Sequence, residues 1–456
     1  MQRVEILDTL WGEASASPFC FAFFAPALFI WAAARYNVYY QGCTLRPDTR
    51  EEFPLNILLV HCHYRLPGGE DAVFAAERRM LEQHGHKVVV YERSNEESTG
   101  AGASLPARLL LPLQAIYSFK TRREVRALIR RHHIQLVHVH NTLLVISPSV
   151  FGAARAEGVP VVQTLHNFRI FCPSGILMRE GRVCEDCPHH SLFCAVRHRC
   201  YRGSLAQSLV CAAVYGVHRL LGTYRHVNLI ALTEFNREKL LEYNTRHRVF
   251  DPTRLSVKPD MVQLETPPLP RPAAERENRV VFAGRLEELK GLRSAIQAWQ
   301  LLGTGPEVPV LTICGAGPLE PWAREAARGL RVEFVGQVSR ATLYDLLGRA
   351  RAALVPSLCY EGQCLVPIEA HAQGTPALVS DLGNVGASVT EGEDGLHFAS
   401  GDPAAIADAV RALPELWEHC DPAEMQRAAL ADYAPEKNYE RLMEIYDEIG
   451  RGENLG

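Results

Sequence analysis

From Asn56 onward, short apolar runs alternate with stretches whose apolar residues recur every three or four positions. NILLVH (56–61), KVVVY (87–91), IQLVHV (134–139), VPVVQT (159–164) and NLIAL (228–232) have the length and near-continuous apolar character of strands covered on both faces. Between the first two, EDAVFAAERRMLEQHG spaces its apolar residues for one helix face and closes on a glycine. A second series follows: RVVFAG (279–284), VPVLTIC (308–314), VEFVG (332–336), AALVPS (352–357) and PALVSD (376–381). Buried strands alternating with crossover helices predict an α/β fold with two doubly wound parallel sheets. The proline-rich ETPPLPRPAAEREN (265–278) can continue neither a helix nor a central strand, so it reads as a linker. The predicted organisation is an extension (1–55), a first domain (56–264), the linker, a second domain (279–430) and a tail (431–456). The amphipathic PEKNYERLMEIYDEIG (435–450) of that tail is expected to pack back on the first domain.

At 456 residues the chain is too long for a single core. A net charge of −4, from 48 basic and 52 acidic side chains, gives no overall bias toward nucleic acid. Thirteen cysteines without regular spacing indicate a reducing, cytoplasmic setting. The uncharged run 18–34 (PFCFAFFAPALFIWAAA) is interrupted by Pro26 and falls short of the ~20 residues that span a bilayer. It reads as a weak anchor, a buried helix or sequence outside the fold, and the last is preferred because regular elements begin only at Asn56. FKTRREVRALIRRHHI (119–134) is a basic helix; most such runs are solvated faces, but it also suits docking at the inner face of a membrane.

Ligands of doubly wound sheets sit at the carboxyl ends of strands. Gly284 and Arg285 follow one predicted strand, with Lys290 five residues on, and a guanidinium fork with a mobile ammonium suits a diphosphate. CGAGPLEP brings Gly315 and Gly317, whose backbone can approach a ligand, before a helix that Pro318 would start. In EGQCLVPIEA, Glu361 falls in a loop and Glu369 in the following helix, with Gly362 to Leu365 at the helix start, where amides attract phosphate. Two carboxylates beside a phosphate site need hydroxyl partners, because an ionised carboxylate only accepts hydrogen bonds. That combination points to a nucleotide sugar. Taken singly, these features are solvated charges, a plain turn and capping carboxylates.

The motifs FAGRLEELKG, CGAGP, VEFVGQV, EGQCLVPIEAHAQGTPALVSD and EGEDGLHF together resemble the retaining glycosyltransferases of family 4. The resemblance implies the GT-B fold, two Rossmann-like domains facing a cleft. It implies that Arg285 and Lys290 bind the donor diphosphate and stabilise the leaving nucleotide. It also implies that Glu361 holds hydroxyls of the transferred sugar, Glu369 holds the ribose, and Gly284, Gly315, Gly317, Gln363, Cys364 and Leu365 line the donor site. In HYRLPGGEDAVF, Gly68 and Gly69 would face the donor phosphate and acceptor, and in QTLHNFRIFCPSG, His166 would lie near the transferred sugar. The implied activity is transfer from a UDP- or GDP-sugar to a hydroxyl of a saccharide or lipid-linked acceptor, in surface polysaccharide or glycan synthesis. No cofactor is expected, and no metal, since the chain has no Asp-x-Asp. A sugar-nucleotide epimerase or phosphorylase of the same fold, or a non-catalytic nucleotide-sugar-binding subunit, are the alternatives. Gln363 and Cys364 stand where the family often has an aromatic residue and a glycine, and LGNVGASV (382–389) departs from its pattern too; the first pair could alter the choice of sugar.

His138 and His140 share a strand face with no evident carboxylate, so they read as packing or lining residues. CEDCPHHSLFCAVRHRC carries Cys184, Cys187, Cys194 and Cys200, with Cys172 upstream; the second pair lacks the C-x2-C spacing of a structural zinc site, and a packing or substrate-facing loop is preferred. ILMREGRV reads as a hairpin turning at Glu180-Gly181.

Overall fold

A computed structural model describes residues 54–63, 68–99, 105–264 and 268–453; the apolar segment 18–34 and nearly all of the extension lie outside them. The first sheet contains β1 (Asn56–His63), β2 (Lys87–Ser94), β3 (Leu136–Val139), β4 (Val161–Leu165), β7 (Asn228–Ala231) and β8 (Leu255–Val257). A small antiparallel hairpin, β5 (Met178–Arg179) and β6 (Arg182–Val183), projects between β4 and β7. Glu180 and Gly181 both have positive φ, 53° and 75°, as a tight two-residue hairpin turn requires. The second sheet contains β9 (Arg279–Ala283), β10 (Val310–Cys314), β11 (Val332–Gly336), β12 (Ala352–Val355), β13 (Ala377–Ser380) and β14 (Gly395–Phe398).

Every pairing in the two large sheets is parallel. Their strand orders are β2-β1-β3-β4-β7-β8 and β11-β10-β9-β12-β13-β14, the same doubly wound arrangement twice. The order reverses beside β1 and β3 in the first sheet and beside β9 and β12 in the second. The loops after those four strands therefore flank the crevices where such folds take ligands.

The apolar runs gave the central strands but not β8 or β14, whose sequences LSV and GLHF are short edge pieces without a continuous run. The helix after β10 begins at Glu320 with Pro321 in its first turn, two residues later than a start at Pro318 would have it. Leu286 explains the delay. Its backbone N–H donates to the Ala316 carbonyl and its carbonyl accepts from Leu319, so residues 316–319 are held as a loop.

The helix Gly69–Gln83 buries Val73, Phe74, Met80 and Leu81, and the C-terminal helix Pro435–Glu453 packs into the same cluster. Tyr439, Leu442, Ile445, Tyr446 and Ile449 meet Ile57 and Leu59 of β1, Leu136 of β3 and Phe74 there. Each such side chain contributes about 1.5–3 kcal/mol when fully buried. The chain thus passes from the first sheet to the second through the linker and returns at its end.

Candidate active site

Lys290 and Glu361, two of the residues expected on the donor side, converge at the order reversal of the second sheet. Lys290 Nζ lies 2.7 Å from Glu361 Oε2, so the loop after β9 is tied to the loop after β12. Burial lowers the pKa of the Lys290 ammonium, but the Glu361 carboxylate outweighs that and holds it above its ordinary value. The second Glu361 oxygen accepts from the Ser357 hydroxyl, and its backbone N–H donates to Asn384 Oδ1 at 3.3 Å. Asn384 Nδ2 donates to the Gly362 carbonyl at 3.2 Å, so this one side chain clasps the loop twice. Arg285 is half exposed and pairs with Glu287 at 3.2 Å; among the described residues no hydrogen bond or ion pair joins it to Lys290 or Glu361.

The glycines serve neighbouring backbone. A Cβ at Gly315 would strike the Gly284 carbonyl, one at Gly317 the backbone of Leu286, and one at Gly291 the Pro356 carbonyl. Gly284, Gly315 and Gly291 also have φ of 153°, 137° and 69°. The loops after β9, β10 and β12 interlock, and that fixes Lys290 opposite Glu361.

The helix Leu365–His371 starts with no side chain capping its first amides. Its N-cap Cys364 is buried, and burial pushes the thiol up. Glu369 lies further along the same helix, 6% exposed, with Tyr344 Oη at 3.4 Å and Arg340 Nε at 3.9 Å. Burial raises its pKa against the pull of Arg340. Glu361 and Glu369 thus have separate partners. Arg340 and Tyr344 also line a cavity of about 1020 Å³ with Arg79, Gln263 and Arg271, between the first helix and the second half.

The first half meets this loop at His166, one residue past β4. A Cβ on Gly362 would collide with the His166 carbonyl, and Asn236 donates from its side-chain amide to the Gly362 carbonyl. Gln363 Oε1 accepts from the Asp260 backbone N–H at 2.6 Å, and Gln363 Nε2 donates back to the Asp260 carbonyl at 3.4 Å. Residues 361–363 therefore seat the second half against the first. Gln363 is bonded across the interface, with its side chain turned to the backbone beyond β8.

A carboxylate that the sequence reading did not find organises the histidines. His138 Nδ1 and His140 Nε2 lie 2.9 and 3.1 Å from Glu77 Oε1, which corrects the view of that strand face as lacking an acid. Lys258 Nζ pairs with the other Glu77 oxygen at 3.1 Å, and both side chains are 1% exposed. Burial raises the Glu77 pKa, but His138, Lys258 and His140 pull it well below the usual carboxylate range. His140 Nδ1 lies 3.0 Å from His166 Nε2. Burial pushes His140 down to about 4 and His166 well below its ordinary value, so both are neutral at pH 7. The tautomers follow. His140 donates from Nε2 to Glu77, its Nδ1 accepts from His166 Nε2–H, and His166 Nδ1 is left as an acceptor. Glu77 was readable in sequence as a carboxylate inside the stripe Val73, Phe74, Met80, Leu81; Lys258 and Asp260, just past the unrecognised β8, gave no such signal.

Gly68 and Gly69 stand apart from this cluster. A Cβ on either would meet nothing within 4 Å, and the Gly68 N–H is taken by Asp71 Oδ2 at 2.8 Å. Asp71 also contacts His61 Nε2 at 2.9 Å and His63 Nδ1 at 2.8 Å. Burial would raise its pKa, but these hydrogen bonds bring it down to about 2. Among the described residues, the groups of three or more metal-ligating atoms that converge are His61/His63/Asp71, Glu77/His138/His140 and Glu185/His189/Glu242; none contains a cysteine. Cys172 and Cys187 are buried, and Cys184, Cys194 and Cys200 partly so.

Sequence profiles match both halves: one described as "Glycosyltransferase Family 4" over residues 67–182 and one described as "Glycosyl transferases group 1" over residues 277–415. A glycogen synthase of Mycobacterium tuberculosis is 40% identical over 156 residues, 33% of this chain and 36% of that protein. A D-inositol 3-phosphate glycosyltransferase of Corynebacterium urealyticum is 33% identical over 184 residues, 36% of this chain and 42% of the relative. The chain thus spans about a third to two-fifths of the length of the curated relatives it matches. In fold it is similar to the sucrose-phosphate synthase of Thermosynechococcus elongatus, with a TM-score of 0.62 at 18% identity over 87% of this chain and 100% of that one. It is also similar to HepE of Anabaena in complex with UDP, with a TM-score of 0.58 at 16% identity over 86% and 100%. With two parallel Rossmann-like sheets, a loop junction at their order reversals and a family profile in each half, this chain belongs to the group 1, family 4 glycosyltransferases of GT-B fold.

Proposed function

We propose that this protein moves a sugar from a nucleotide-sugar donor to a hydroxyl of a saccharide or lipid-linked acceptor, with retention at the anomeric carbon. The observation that carries the reading is the Lys290–Glu361 pair, set at the order reversal of the second sheet and pressed against His166 through Gly362. Lys290, with Arg285 swinging in from its exposed position, would neutralise the donor diphosphate, while Glu361 and Glu369 accept from sugar and ribose hydroxyls. The Anabaena neighbour was solved with UDP and with UDP-glucose, which supports a nucleotide-sugar donor.

Within this reading, the commitments of the two acids favour a front-face displacement over one that passes through a carboxylate nucleophile. Glu361 is held by Lys290 and Ser357, so it is a poor nucleophile, and Glu369 sits apart from it against Tyr344. The bond from the anomeric carbon to the diphosphate breaks as the acceptor oxygen bonds to that carbon on the same face. The acceptor proton passes to the departing phosphate oxygen, and Lys290 stabilises the charge that develops there. Because lysine and arginine supply the positive charge, the reaction needs no metal ion in this reading.

The test is incubation with a panel of UDP- and GDP-sugars, with and without saccharide acceptors, in buffer containing EDTA. Transfer to an acceptor hydroxyl, undiminished by EDTA, is expected. Isomerised sugar formed without acceptor would make the protein an epimerase, and sugar 1-phosphate formed with phosphate a phosphorylase. Donor binding without any turnover would make it a binding subunit.

A second observation bears on where it works. Among the described residues no helix is long and apolar enough to cross a membrane. Leu113, Phe119, Leu220 and Leu221 are nonetheless 66%, 78%, 89% and 70% exposed. His218 contacts the Ile116 carbonyl at 2.6 Å, which brings the helices bearing Leu113 and Leu220 together at one end. Phe119 opens the basic helix Phe119–His132 and lines a shallow hollow of about 310 Å³ with Arg122, Arg123, Arg126 and Arg130. Exposed apolar side chains beside arginines suit the headgroup region of an anionic leaflet, and we propose peripheral association with such a membrane. Co-sedimentation with vesicles containing phosphatidylglycerol is expected, together with its loss in Phe119→Ser/Leu220→Ser and its absence with purely phosphatidylcholine vesicles. Equal binding to both vesicle types would sink this placement.

A further inference from the structure

β1 ends in His61-Cys62-His63, and residues two apart on a strand share a face. Opposite them stands Asp71, in the first turn of the helix Gly69–Gln83, with its Oδ2 fixed by the Gly68 N–H at 2.8 Å. Asp71 Oδ1 lies 2.9 Å from His61 Nε2 and 2.8 Å from His63 Nδ1. The three atoms lie within 4.8 Å of one another. His61 is fully buried and stacks on Phe74 with ring centroids 4.7 Å apart, whereas the His63 side chain is 36% exposed and leaves one side of the trio open.

Two carboxylates flank His63. Its other ring nitrogen, Nε2, faces Glu92 Oε1 at 3.3 Å. A neutral imidazole carries one N–H, so it can donate to Asp71 or to Glu92 but not to both, and the nitrogen left bare then meets a carboxylate lone pair to lone pair. A cation on the Asp71 side removes that conflict. Nδ1 then ligates, the proton sits on Nε2 and donates to Glu92, and the result is the carboxylate–histidine–metal relay that orients metal-bound imidazoles. His61 Nδ1 has no partner among the described residues, so His61 can move its proton there without breaking a hydrogen bond. We propose that His61 Nε2, His63 Nδ1 and Asp71 Oδ1 bind a zinc-class divalent cation, with its fourth position open on the His63 side. Two imidazoles and a carboxylate suit such an ion better than magnesium or calcium, which take oxygen ligands. Tetrahedral ligands ~2.0–2.2 Å from zinc stand ~3.4 Å apart, so the trio opens by about half an ångström on binding. The ion pins the end of β1 to the start of the helix, and with it the Gly68–Gly69 turn. Among the described residues no hydrogen bond or ion pair links the trio to Lys290 or Glu361, so the ion is additional to the transfer chemistry and its removal by EDTA leaves that chemistry intact.

The test uses the full chain, free of any histidine tag and stripped with EDTA, titrated with Zn²⁺ by calorimetry and with Co²⁺ by visible absorption. Saturable binding of one Zn²⁺ that His63→Phe abolishes is expected, with a Co²⁺ spectrum that lacks thiolate charge transfer. Glu92→Gln, which removes no ligand, should weaken Zn²⁺ binding about 10–100-fold. Zn²⁺ should raise the melting temperature of wild type and leave that of His63→Phe where it is. Melting of the metal-free proteins shows that His63→Phe, a change at a partly exposed position, still folds. Zn²⁺ binding that survives in His63→Phe at the wild-type affinity would overturn the proposal and put the ion elsewhere, on the cysteines if thiolate charge transfer appears. No saturable Zn²⁺ binding would overturn it too, and would leave a charged His63 serving both carboxylates as the reason for the geometry.

Discussion

Lys290→Ala is expected to lower the turnover of the nucleotide sugar by about 10²–10³-fold, the usual loss when one preorganised group facing developing charge is removed. Two effects combine. The ammonium is the side-chain cation anchored in the cleft, since Arg285 is half exposed and pairs with Glu287 instead. Its removal also leaves Glu361, 9% exposed, with the Ser357 hydroxyl as its remaining side-chain partner, and the loop that carries it loosens. An interaction that strengthens as the diphosphate departs should lower kcat more than the affinity for the free nucleotide. Steady-state kinetics with nucleotide binding measured in parallel will show this. Turnover within a few-fold of wild type would remove Lys290 from the chemistry.

Lys258→Met is expected to cost about 3–5 kcal/mol of stability, because it strands the buried Glu77 carboxylate without its cation. His138 and His140 would remain as hydrogen-bond partners, but both are imidazoles, and charging one in this interior is what burial opposes. Adding Glu77→Leu should recover much of the loss, since a pair replaced by apolar groups costs less than a pair broken. Urea unfolding of the single and double variants measures both. A Lys258→Met protein as stable as wild type would show that the pair contributes nothing.

The same network sets an acid limit. Glu77 is held well below its ordinary range, so its contribution is complete above the unfolded carboxylate pKa of ~4.3 and is lost as pH falls. His140, pushed to about 4, stays neutral in the fold while the unfolded chain takes up a proton below ~6.5. Stability therefore drains as pH drops between those two values. Both effects carry the same sign. Asp260, raised by burial to about 7, is protonated more readily in the fold and carries the opposite one, so the fall of the urea midpoint from pH 7 to pH 4 should be steeper in Asp260→Asn than in wild type.

The legible parts of this protein were those whose cause is local. Central strands announce themselves as apolar runs, and the glycines of the 284–291 and 315–317 loops stand beside the strands they follow. Lys290 and Glu361 were singled out by spacing and resemblance, but their ion pair was not foreseen, and Arg285, expected beside Lys290, pairs with Glu287 instead. What escaped notice depends on residues far apart in the chain. Glu77, His138, Lys258 and Tyr446 meet in one buried cluster from three elements and the segment past β8, with Tyr446 Oη 2.7 Å from His138 Nδ1. No window of sequence contains that arrangement. Edge strand β8 was missed for want of an apolar run, and Lys258 and Asp260 were missed with it. Gln363 was singled out as a position where sugar choice could be altered, yet its side chain bonds to the Asp260 backbone across the domain junction.

The return of the chain to its first sheet has a consequence for synthesis. Tyr439, Leu442, Ile445, Tyr446 and Ile449 complete the cover over Ile57, Leu59 and Phe74, yet they are translated after every strand of both large sheets. A completed first half, residues 56–264, carries an uncovered apolar face until about 190 further residues have been made. Its early folding is thus provisional, and holdase chaperones have a long interval in which to act. A truncation ahead of Pro435 would leave both large sheets and the Lys290–Glu361 pair encoded and still yield a protein prone to aggregation.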